Sequence, residues 1–101
     1  MTEARRPIVD DLARHLANEA SNILKRHMAV MAISTSPHEA MMIMTAGAAQ
    51  FMINALKISV ALAAAPGREA ALYEQLVQVT FNQIREAAPE LVAEIEKARA
   101  L

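Results

Sequence analysis

Three groups of side chains have the type and spacing to do chemistry. His15 and Glu19 stand four residues apart. On a helix that spacing puts an imidazole and a carboxylate on one face, as two ligands of a metal would be. No second pair accompanies them and no Glu-x-x-His motif occurs, so a solvated helix-face pair explains the spacing without a metal. Lys25, Arg26 and His27 form a compact basic cluster, and Arg5 and Arg6 form another. Such donors could hold a phosphate. They are joined by no glycine-rich loop and extend into no basic stripe, so ordinary solvated helix charges account for them. Gln50, Asn54 and Lys57 fall at i, i+4 and i+7, one narrow polar line with Gly47 a turn earlier. That line could fix the register of a helix interface, or bind a small anionic ligand in a pocket between subunits.

Catalysis has little to stand on. Cysteine is absent, and no serine sits in the strand-turn-helix setting of a nucleophile elbow. The carboxylates fall on polar helix faces or near helix starts, and His38 lies close to a helix start. The expectation is a protein that is not an enzyme and carries no cofactor or metal. Lack of cysteine also fits a reducing compartment. The charged N-terminal stretch has no apolar core of a signal peptide, so the expected location is the cytoplasm. A net charge of −1 gives no general attraction for nucleic acid or anionic lipid.

The elements that would position these residues are helices. Hydrophobic residues make up 54% and aromatics 3%, so the apolar content is Ala, Leu, Ile, Val and Met, a helix-packing vocabulary. The spacing predicts helices over about 7–33, 37–65, 68–87 and 89–99, in one domain. The fold class is all-α: an antiparallel bundle of three long helices with a short C-terminal one. Ser36, Pro37 and Glu39 spell a capping box at the start of the second helix, and Pro66-Gly67 ends it. Asp10 and Asp11 near the start of the first helix, and Lys25 and Arg26 toward its end, suit the macrodipole. Pro89 is expected to break or kink the chain between the third helix and the short C-terminal one.

The second helix sets the problem for the rest of the chain. From Ala40 to Ala65 its only charge is Lys57, and a helix so poor in polar surface must be wrapped by other helices or by lipid. Two flanking helices cannot cover it on every side, which points to a homo-oligomer, most simply a dimer. Six of the seven methionines lie between Met28 and Met52. Methionine suits both irregular cores and adaptable binding surfaces, and Met28, Met31, Met41 and Met44 are the candidate contacts for a protein partner. The leading expectation is therefore an oligomeric adaptor, regulator or inhibitor. Two alternatives are the ligand binder above and a single membrane span over Ala40–Leu62. In a span, seven strongly apolar residues would contribute roughly −2 to −4 kcal/mol. Lys57, Gln50 and Asn54 offset most of that gain.

Overall fold

The computed structural model describes residues 3–100. They form three α-helices and no strand: α1 (Arg6–Ser34), α2 (Pro37–Ala63) and α3 (Glu69–Ala100). The chain is all-α.

α1 begins one residue before Pro7, whose fixed φ and missing N–H are tolerated in a first turn. Asp10 and Asp11 therefore fall beyond the first turn, and Lys25 and Arg26 fall short of the last. The macrodipole falls off within a turn, so these charges gain less from it than their order suggested. Asp11 instead accepts a hydrogen bond from Arg14 at 3.2 Å. At the other end Thr35 turns extended, with φ −134° and ψ 158°. Its amide and its hydroxyl both donate to the Met31 carbonyl, at 2.9 and 2.7 Å. The Ser34 hydroxyl donates to the Val30 carbonyl at 3.0 Å. The Met31 carbonyl, which the helix end would leave unpaired, is thus occupied.

The capping box of α2 is formed in both directions. The Glu39 amide donates to the Ser36 hydroxyl oxygen at 3.2 Å, and the Ser36 amide donates to the Glu39 carboxylate at 3.0 Å. The Ser36 backbone N–H, and then its hydroxyl, hold the Glu39 carboxyl below its ordinary range. Between α2 and α3, Gly67 adopts φ +83°, the left-handed conformation that glycine takes without steric cost. Its amide donates to the Glu69 carboxylate at 3.1 Å, which ties the turn to the first residue of α3.

The separate helix expected at 89–99 does not form: α3 runs through Pro89 to Ala100. The reason lies in phase. Phe81, Ile84, Ala88, Leu91 and Ile95 recur at alternating steps of three and four, so one helical register serves both sides of the proline. Arg85, whose carbonyl loses its hydrogen bond to the Pro89 ring, is exposed, so water can reach that carbonyl.

The chain divides into two compact units, Met1–Ala49 and Gln50–Leu101, with the division inside α2. In the first, Met31 is the buried residue, and Ala20, Ala40 and Met44 are half-buried. In the second, Met52, Leu56, Val60 and Ala64 form a half-buried row on the α2 side. Leu72, Leu76, Val77 and Thr80 form another on α3. Each long helix outruns the half of α2 in its unit: α1 has 29 residues and α3 has 32. The expected apolar row of α1 is exposed at Ile8, Leu12, Leu16, Leu24 and Met28, the first three of them in the part that outruns α2.

Removing the cap should be measurable. Ser36→Ala is expected to destabilise the fold by about 1 kcal/mol in denaturant titrations at neutral pH. Because the Glu39 carboxyl titrates below its unfolded value, its contribution is full above the unfolded pKa. It is lost as pH falls through the lowered folded one. The deficit of a Glu39→Ala variant should therefore shrink on acidification through that range, and the Ser36→Ala deficit should change less, because that variant keeps the backbone N–H that binds the carboxylate.

Candidate functional site

The helices set the candidate residues on open surface. His15 Nε2 and Glu19 Oε1 lie 3.0 Å apart on α1, with side chains 71% and 63% exposed. In water such a pair is worth little, and it is a surface contact rather than half of a built site. No group of three or more His, Asp or Glu side chains that could hold a metal occurs among the described residues.

Lys25 and Arg26 line a shallow, open depression on α1 with Glu19, Asn22 and Ile23. The Glu19 carboxylate in the same lining works against a bound anion. His27 is exposed on the same helix. Gln50, Asn54 and Lys57 are all exposed along α2. None of them makes a side-chain hydrogen bond or ion pair with the described residues.

The methionines separate by role. Met31 is 7% exposed and serves as core, and Met44 is half-buried in the same unit. Met28, Met41 and Met42 are exposed. Of the candidate partner contacts, Met28 and Met41 are thus available at the surface.

What dominates the surface is apolar. Twenty-three large hydrophobic side chains among the described residues are exposed, with Ile33 at 91% and Leu62 at 83%. Single apolar side chains are ordinary on a surface, but here they recur along all three helices.

One contact was not anticipated from residue type. The Arg85 guanidinium lies over the Phe81 ring, 4.6 Å from its centroid, a cation–π pair one helical turn apart. Its signal was the i, i+4 spacing, the same that marks His15 and Glu19.

The chain matches no protein-family model, no curated protein and no solved structure.

If the His15–Glu19 pair is only solvated surface, replacing both residues with alanine should shift stability by no more than about 0.5 kcal/mol. Added Zn²⁺ or a chelator should leave the unfolding midpoint of the unaltered chain where it was. A rise of several degrees with Zn²⁺ would show a metal site.

Proposed function

We propose that this chain is a non-enzymatic helical interaction protein, an adaptor, regulator or inhibitor that acts in the cytoplasm by docking against other protein surface. It first completes its core with another copy of itself, a dimer being the simplest form. The observation that carries this reading is that Met31 is the single buried hydrophobic residue among the described residues, set against apolar rows left open on all three helices. Burying apolar surface is worth about 25 cal/mol per Å². A second chain covering part of these rows would therefore gain by binding.

A membrane span at α2 is the second reading. It is favoured by the mean hydropathy of 1.3 in an apolar window of Pro37–Ala63, none of it buried. A span would cover α2 alone. α1 and α3, which carry too many charges to enter a bilayer, leave Leu12, Leu16, Leu91 and Ile95 just as open. Protein surface can cover all three helices, and for that reason the interaction reading is preferred.

Light scattering on protein extracted without detergent separates the two. The expected result is recovery in the soluble fraction with a mass clearly above the 11.0 kDa of one chain. A monodisperse 11.0 kDa species at micromolar concentration would overturn the self-association. Recovery only in detergent would favour the span.

A further inference from the structure

We propose that hydrogen peroxide converts Met28, Met41 and Met42 to sulfoxides ahead of Met31, and that these sulfoxides weaken the chain's self-association while its helices stay folded. The regulatory half rests on the self-association put forward above; the order of oxidation stands on exposure alone.

Cysteine is absent, so the thioethers of seven methionines are the only sulfur in the chain. Six of them fall between Met28 and Met52. The structure sorts those six by their surroundings. Met28, Met41 and Met42 are 57%, 53% and 56% exposed, whereas Met31 is 7% exposed. Met44 and Met52 are half-buried. The oxidation of a thioether follows its exposure. Three sulfurs of the first unit, Met1–Ala49, therefore meet a dissolved oxidant well before Met31 does. Leucine would give these three positions nearly the same volume and the same helix propensity. What methionine adds there is the sulfur.

The reaction needs one oxidant and no other group. A sulfur lone pair attacks one oxygen of hydrogen peroxide, and the S–O bond forms as the O–O bond breaks. The departing hydroxide takes up the remaining proton and leaves as water. Sulfur loses two electrons and the peroxide gains them. A flexible apolar side chain becomes a polar one with an acceptor oxygen. Where the side chain stays in water this costs the fold little, because the new oxygen is hydrated. Under a second chain the same oxygen must lose that water or find a donor. At Met31 it would enter the core of the first unit. Loss of association should accordingly follow the exposed three, and loss of helix should follow Met31.

The test adds hydrogen peroxide to the full chain and follows it in time by peptide mass spectrometry, circular dichroism and light scattering. Sulfoxide at Met28, Met41 and Met42 should precede sulfoxide at Met31, with the helical signal unchanged. Over that interval the dissociation constant of the self-associated form should rise by about tenfold or more. Methionine sulfoxide reductases should restore it. A combined Met28→Leu, Met41→Leu and Met42→Leu variant should keep its dissociation constant through the same treatment. Oxidation of Met31 as fast as the three, or helix lost in step with them, would overturn the proposal on the unaltered chain, whether or not the variant folds. Equal loss of association in the leucine variant would overturn it as well. A monomeric mass before peroxide is added would remove the self-association and the switch with it. A dimeric mass with a dissociation constant unmoved by oxidation would remove the switch and leave the self-association standing.

Discussion

The constraint on which the rest of the structure depends is the near absence of charge along α2. From Ala40 to Ala65 one lysine is the sole ionic group, and water does not stabilise such a surface as it does an amphipathic one. α1 and α3 answer that constraint in part. They half-bury Ala40 and Met44 in one unit and Met52, Leu56, Val60 and Ala64 in the other. Phe51, Ile53, Ile58 and Leu62 are left outside. α2 thus works as the element the other helices fold onto and still presents apolar side chains to water.

The helix ends explain why the uncovered rows are so long. Thr35, the Ser36–Glu39 box and Gly67 terminate and restart the helices within a few residues. The chain therefore spends almost no length on loops, and α1 and α3 extend past the halves of α2 in their own units. Leu12 and Leu16 on α1, and Leu91 and Ile95 on α3, keep the helical spacing of core positions where their own units supply no core.

Much of this was legible in the residues. The capping box needed only Ser36 and Glu39 at the right spacing, because its bonds are local. Pro66-Gly67 fixed the turn for the same reason. Pro89 misled, because a proline's local cost does not reveal whether the apolar phase on its two sides agrees, and here Ile84, Ala88 and Leu91 agree. The methionines could not be sorted by type. Met28 and Met31 are three residues apart on α1, one exposed and one buried, and only the position of a neighbouring helix distinguishes them. The polar line at Gln50, Asn54 and Lys57 was legible as a line. Its exposure was not, since residue type alone does not say which face of α2 is covered.

The most direct measurement of whether these apolar faces are closed by another chain is the unfolding midpoint as a function of protein concentration. Folding coupled to association makes that midpoint depend on mass action. Across a hundredfold dilution followed by circular dichroism, the midpoint in urea should fall steadily with dilution while the helical signal of the folded state stays the same. A midpoint that does not move over that range would show that a single chain folds by itself, and would contradict the claim that its core is completed by a partner.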